Sequence, residues 1–349
     1  MVRELSRRRL IKLAGAGAIV VTAGGIIVPR GYAQPPKLEK KDKYKVGFAQ
    51  IVEDNPWRIA QSESMQQEAE KRGYELIYTV AEDSEAKQIA DVDSMIAQQV
   101  DLIFLPPRSE EPLAQAVLRA KDAGIPTILL DRSVSEEIAK AGEDYVCFIG
   151  SDFVQEGARA AEWLARTMNG EAQIIVLEGS AGASPAIDRQ TGFDEYLAGT
   201  YQLHQSGTPV APPSAGFPGM QIVASQDGNF NRDTGREVFE TLYQANPEAN
   251  AVYAHNDEMA LGAINALEAA GKVPGVDVIL ISIDGNRDAL QAIVDGKLGA
   301  SVECNPRFGP SAFDTLEAYA NGEEIPPIIV NPDKFFDSSN AEEELPNAY

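Results

Sequence analysis

Val252-Tyr253-Ala254-His255-Asn256-Asp257-Glu258-Met259-Ala260-Leu261-Gly262-Ala263 reads as a short buried strand, two polar residues and the start of a helix. Ala251 to Ala254 is apolar and partly β-branched, while Met259, Ala260, Ala263, Ile264 and Leu267 carry the helical period. Asp257 occupies the place of an N-cap, which leaves Asn256 at the carboxyl end of a strand, where open α/β sheets bind their ligands. Helix capping alone would also explain this pair. Three other strand ends share the pattern: Leu129-Leu130-Asp131-Arg132-Ser133, Ile281-Ser282-Ile283-Asp284-Gly285, and Gln50 to Arg58. Each is an apolar run closed by polar groups suited to a small polar molecule.

Outward from these strand ends, strand and helix patterns alternate. Strands at Tyr44–Ala49, Glu75–Val80, Leu102–Leu105 and Thr127–Leu130 are separated by helical patterns, and the series restarts at Tyr145. A β-α-β-α order implies parallel sheets with helices on both faces. At 349 residues the chain exceeds what one core usually serves, so two successive units imply two lobes facing a cleft. Gly199 to Gly219, with four prolines, reads as a surface excursion.

Charge and composition exclude several function classes. The net charge is −23; the first 33 residues set six basic residues against Glu4, so the remainder carries −28. Such a body repels nucleic acid and anionic membrane surfaces. The two cysteines, Cys147 and Cys304, form no metal-ligand spacing, and only His204 and His255 are available to a histidine-dependent mechanism. No phosphate loop or dinucleotide fingerprint follows a strand. No cofactor or metal is expected, and no enzymatic activity.

The segment 1–33 reads as a cleaved export signal. Ser6-Arg7-Arg8-Arg9-Leu10-Ile11-Lys12 is a basic region of twin-arginine type, Leu13 to Val28 is uncharged and glycine-rich, and Gly31-Tyr32-Ala33 offers small residues for cleavage before Gln34. The apolar run is shorter than the roughly 20 residues that span a bilayer. Residues 34–43 form a polar leader. The expected location is the periplasm.

Six segments in order resemble the periplasmic sugar-binding proteins of ABC importers, the ribose- and galactose-binding type, nearest in pattern to its galactofuranose-binding member. They are Lys45-Val46-Gly47-Phe48 with Pro56-Trp57-Arg58, Ile125 to Arg132, Gly182 to Phe193, Asn229-Phe230-Asn231-Arg232, Ala254 to Met259, and Ser282 to Gly285. The resemblance implies the type I periplasmic binding protein fold: two Rossmann-like lobes, each a parallel sheet flanked by helices, joined by three hinge crossovers. By analogy the crossovers fall near Ser133, Asp284 and Ile325. The N-terminal lobe would hold 44–132 and 285–324, and the C-terminal lobe 136–283 and 328–349. A monomer that hands a monosaccharide to ABC permease subunits is implied. A sensor for a membrane receptor, or a receptor for a sugar acid, is the alternative.

Carried over position by position, the ligand-binding residues would be Asp54, Asn55, Trp57, Arg58, Asp131, Arg132, Arg189, Asn256 and Asp284, with Phe230 as a wall. Their chemistry suits a sugar. Carboxylates accept from hydroxyls, arginine forks serve two oxygens at once, and Trp57 can lie on a C–H face with its indole N–H left for an oxygen. Three arginines against Asp54, Asp131 and Asp284 make a nearly neutral cleft, while Arg232 nearby keeps an anionic ligand open. Each position also has a plain reading: Asp131-Arg132 as an ion pair, Trp57 and Phe230 as packing, Arg189 on a solvated helix face, Asp284-Gly285 as a turn. Asp54-Asn55-Pro56 stands where the galactofuranose type has Glu-Ser-Gly, and Cys304 where ribose types carry an amide.

Overall fold

The computed structural model describes residues 34–204 and 209–349; the segment 1–33, read from sequence as an export signal, lies outside the described residues. Among those described, no helix is long and apolar enough to cross a membrane. The chain runs β1 (Lys45–Gln50), α1 (Pro56–Arg72), β2 (Glu75–Val80), α2 (Glu85–Ala97), β3 (Leu102–Leu105), α3 (Glu110–Asp122), β4 (Thr127–Leu130) and β5 (Phe148–Gly150). It continues through α4 (Phe153–Thr167), β6 (Glu171–Glu178), α5 (Ser184–Ala198), β7 (Gly219–Asp227), α6 (Arg232–Ala245), β8 (Ala251–Ala254), α7 (Asp257–Ala269), β9 (Ile279–Asp284), α8 (Arg287–Val294) and β10 (Ala300–Glu303). The last elements are α9 (Gly309–Ala320), β11 (Ile328–Val330), β12 (Phe335–Asp337) and α10 (Ala341–Glu344).

Two six-stranded sheets result, ordered β2-β1-β3-β4-β5-β11 and β7-β6-β8-β9-β10-β12. All strands are parallel except β12, which runs antiparallel to β10. Every residue of β3, β4 and β8 is buried, as expected of strands covered on both faces. The two sheets repeat one winding, with the strand order reversing between β1 and β3 and again between β6 and β8. Loops that leave carboxyl ends beside such a reversal form a crevice.

Strand pairing corrects the expected division into lobes. Leu129 pairs with Phe148 and Leu130 with Ile149, so β5 belongs to the first sheet, not the second. β10 pairs with β9 in the second sheet, and β11 with β5 in the first. The chain therefore crosses between sheets at 151–152, 304–308 and 331–334, not near Ser133, Asp284 and Ile325. Each lobe completes a fifth parallel strand before the chain leaves it. Residues 335–337 add a strand that the pattern reading passed over, being only three residues long.

The crossovers are tied together. The Asn305 N–H donates to Asp333 Oδ1 at 3.1 Å, Arg159 Nη1 donates to the Asp333 carbonyl at 3.0 Å, and Ser151 Oγ lies 3.6 Å from Cys304 Sγ. In the second lobe α4 and α5 pack at backbone distance. A Cβ on Gly157 would stand 2.0 Å from the Arg189 carbonyl, and one on Gly192 1.8 Å from the Val154 carbonyl. Glycine at both positions lets α5 sit deep enough to bury Arg189.

Candidate functional site

A cleft of about 570 Å³, mouth included, lies where the loops leaving the two sheets face each other. All ten residues singled out from the sequence line it. Asp54 is exposed at the mouth, its Oδ1 accepting from Asn55 Nδ2 at 3.0 Å. Asn55 caps α1 by accepting the Arg58 N–H, with Pro56 at the first helical position. That cap fixes the turn that brings Arg58 inward, where Nη2 meets Asp131 Oδ2 at 2.6 Å and Nη1 meets Gln61 Oε1 at 2.9 Å.

Trp57 departs from its expected role. Its indole N–H donates to the Cys304 carbonyl at 2.8 Å, and the Arg58 guanidinium covers its ring at 4.6 Å. Neither the N–H nor that face is left for a ligand; Trp57 instead ties α1 to the second crossover. The aromatic wall is Phe230, with the guanidiniums of Arg132 and Arg189 5.5 and 5.9 Å from its ring centre.

Arg132 donates from Nη1 to the Arg108 carbonyl at 3.1 Å, while its buried Nε has no hydrogen-bond partner. The nearest carboxylate, Asp131, is 3.8 Å away and already paired with Arg58. Burial, and then repulsion from Arg58, pull the Arg132 guanidinium down to about 9. Arg189 is better served: Nε donates to Glu156 Oε2 at 2.7 Å, Nη1 to the His255 carbonyl at 2.7 Å, and Nη2 stands 3.6 Å from Asp284 Oδ1. Burial is the strongest single influence and opposes its charge, but Glu156 and its other acidic neighbours, Asp284 among them, together raise it and hold it protonated.

The cleft side of the 252–263 stretch also differs from expectation. Asn256, not Asp257, is the N-cap of α7: its Oδ1 accepts the Met259 N–H at 3.0 Å, and its Nδ2 donates to the Phe230 carbonyl at 3.1 Å. Asp257 is the first helical residue. It is wholly buried and accepts from Ser282 Oγ (2.5 Å), Ser301 Oγ (2.7 Å) and the Asn286 N–H (2.7 Å). The sequence placed a polar pair here, but not which member capped and which anchored. His255 is structural: its Nδ1 accepts the Gly179 N–H, and burial followed by Arg189 drives its imidazole down to about 3, hence neutral.

Asp284 sits at φ +134°, and Asp83, Asp131, Asn229 and Phe230 also have positive φ. Of the eight non-glycine residues in that state among those described, these five line the cleft. Such backbone persists where the surroundings over-determine it, and it clusters at ligand sites. Burial pushes the Asp284 carboxyl well above its usual range, with Arg189 opposing.

Sequence reasoning missed Glu156, Ser180 and Asp83. Glu156 had a signal: it falls on the apolar stripe of α4 with Phe153 and Ala160, where a solvated charge would be out of place. Cys304 lines the cleft with its thiol buried and pushed well up, hence unreactive. Arg232, which kept an anionic ligand open, is occupied by Glu258 at 2.8 and 2.9 Å and by Asp288 at 2.9 Å. The buried ionisable groups of the cleft lining are Arg58, Arg132 and Arg189 against Asp131 and Asp284, with Glu156 set behind Arg189.

Comparison with known proteins agrees with this geometry. Residues 46–324 match the model of the periplasmic binding protein domain. The galactofuranose-binding protein YtfQ of Escherichia coli K12 is 36% identical over 305 residues, covering 86% of this chain and 90% of that protein. Among solved structures, the periplasmic component of the arabinose ABC transporter of Shewanella sp. ANA-3, bound to L-arabinofuranose, is similar with a TM-score of 0.78 and 35% identity. It covers 87% of this chain and 95% of that one. A Mycobacterium smegmatis protein in complex with β-D-fucofuranose has a TM-score of 0.78 and 39% identity, over 87% and 94% of the two chains.

Asp257 gives this site a pH signature. Burial first, with Glu258 adding repulsion, raises its carboxyl from 3.8 to about 7 against three donors. Between those values the native state holds a proton that the unfolded chain has released. Its contribution to stability is therefore full below about pH 4 and lost as pH rises through about 7, on the order of a few kcal/mol. Asp284 and Asp333 shift in the same direction. Urea unfolding of the ligand-free protein is expected to give a higher free energy at pH 5 than at pH 8, with a shallower fall in Asp257→Asn. Stability that rises over this interval would contradict the assignment.

Proposed function

This chain belongs to the periplasmic binding protein family, and on that premise we propose that it captures a neutral monosaccharide in furanose form and delivers it to the permease subunits of an ABC importer. The family consists of binding proteins, not enzymes. The observation that carries the reading is the ring of Arg58, Asp131, Arg132, Arg189 and Asp284 around Phe230. Adjacent hydroxyls are each donor and acceptor, so forked guanidiniums set beside carboxyls suit them, and the Phe230 face suits the sugar's C–H side. The relatives named for galactofuranose, arabinofuranose and fucofuranose support the ring form.

The protein acts as a monomer whose lobes close about the crossovers at 151–152, 304–308 and 331–334. Closure would bury the ligand's polar contacts away from water. One observation favours a sugar acid instead: Arg132 has no carboxylate of its own. Against it, Arg232 is fully paired, and Arg189 already has the Glu156 carboxyl as its partner at 2.7 Å.

Thermal unfolding with galactose, arabinose, ribose, glucose, a galactofuranoside and two sugar acids separates these readings. A ligand at 100 times its Kd adds about 2.7 kcal/mol, a clear rise in Tm. The expected result is a rise with a neutral sugar able to form a five-membered ring. A rise with acids alone, or with none of the panel, contradicts the proposal.

We also propose that residues 1–33 direct export by the twin-arginine route, supported by the paired Arg7-Arg8 ahead of the uncharged Leu13–Val28 run. Intact mass of the exported protein is expected to begin at Gln34, and Arg7→Lys/Arg8→Lys to stop export. Export of that double variant at the normal rate would contradict the route.

A further inference from the structure

The Asp284 conformation is held from a part of the molecule that does not touch the cleft. Its carbonyl accepts two hydrogen bonds: from the Cys304 N–H at 3.1 Å, within the β9–β10 ladder, and from the phenol of Tyr349 at 3.0 Å. Tyr349 lies 65 residues away, in the final stretch of the sequence. It is absent from the cleft lining and instead lines a second cavity, about 1100 Å³, together with Gly285.

The Tyr349 segment is anchored for this contact. The Arg287 N–H donates to the Tyr349 carbonyl at 2.9 Å, and Arg287 Nη2 to the Ala348 carbonyl at 2.7 Å. Arg307 Nη2 donates to the Asn347 carbonyl at 2.9 Å, and its guanidinium stands 5.7 Å from the Tyr349 ring centre. Phe336 closes the same side: a Cβ on Gly285 would meet its ring at 2.5 Å. The peptide after Asp284 is thus clamped between Ser301 of β10 and Asp257 at the start of α7 on one side and Tyr349 on the other.

We infer that Tyr349 is a positioning residue for ligand capture, holding Asp284 in its left-handed conformation through the phenol hydrogen bond. The inference rests on the proposed sugar-binding role of the cleft. The role is remote: Tyr349 sets the direction of a carboxyl that contacts ligand without contacting ligand itself. The other hydrogen bonds to this stretch come from Ser301 on β10, Asp257 on α7 and the Cys304 N–H just past β10, and Arg189 of α5 stands 3.6 Å from the carboxyl, so the phenol bond is the one that couples the segment 347–349 to the site.

The test removes the hydroxyl and keeps the ring. Tyr349→Phe is compared with wild type and with Tyr74→Phe, which loses a phenol bond to Glu317 far from the cleft. Calorimetry gives the sugar Kd, and hydrogen exchange of the ligand-free protein reports the Gly285 and Asn286 amides. The expected result for Tyr349→Phe is a Kd raised roughly five-fold, the size of one neutral hydrogen bond, with faster exchange at both amides. Tyr74→Phe leaves both unchanged while lowering Tm comparably. A Kd equal to wild type in Tyr349→Phe overturns the inference, even if Tm falls. If wild type binds no sugar, the proposed function fails separately, and the exchange rates alone then decide: faster supports the positioning role, and unchanged overturns it.

Discussion

Asp284 has its backbone at φ +134°, a region that an L-residue occupies only under constraint, at a cost of order 1–3 kcal/mol. The constraint is a buried polar network. Ser301 Oγ accepts the Gly285 N–H at 3.1 Å, Asp257 accepts the Asn286 N–H, and the Asp284 carbonyl takes two donors. Asp257 in turn is held by Ser282 and Ser301 from the neighbouring strands β9 and β10. A fully satisfied network of this kind specifies one arrangement, because any slip leaves a buried polar group unpaired. The strain at the cleft is sustained by hydrogen bonds made one layer behind it.

The same division of labour recurs across the cleft. Arg189 faces Phe230 and Asp284, but its orientation comes from Glu156 on α4 and from the His255 carbonyl, and its depth from Gly157 and Gly192. Arg58 faces inward because Asn55 caps its helix and Asp131 takes its fork. Trp57 supports Arg58 and fastens α1 to the crossover at Cys304. Removing one member of the Arg189–Glu156 pair would strand a buried charge, a loss of about 3–5 kcal/mol. On the proposed role of the cleft, a ligand would meet donors and acceptors already held in place, which limits the ordering entropy that binding must overcome.

Much of this was legible in the sequence. Alternating periods gave two parallel units, polar residues at four strand ends pointed to a cleft, and the family resemblance carried over ten positions, Arg189 and Phe230 among them, that the fold brings to one cleft. Lobe membership was not legible. Tyr145–Ile149 reads as a strand, but nothing in it marks whether β4 or a later strand will be its neighbour, so the pattern closes each lobe one strand early. The expectation for Trp57 erred because an indole N–H reads the same whether a ligand or a backbone carbonyl receives it. Asp257 looked like a cap because capping and anchoring use one residue type. Glu156 was readable from its place on an apolar helix stripe. Tyr349 was not, since its partner is a backbone oxygen 65 residues distant, and local pattern carries no signal for such a contact.

The central claim is that the cleft is prearranged by the layer behind it. A pair of crystal structures, without ligand and with a bound neutral furanose, tests this most directly. The account predicts that Asp284 stays near φ +134° and the Arg189–Glu156 contact near 2.7 Å in both, with the sugar ring against Phe230. An Asp284 that relaxes to negative φ without ligand, or a sugar seated away from Phe230 and Asp284, would contradict it.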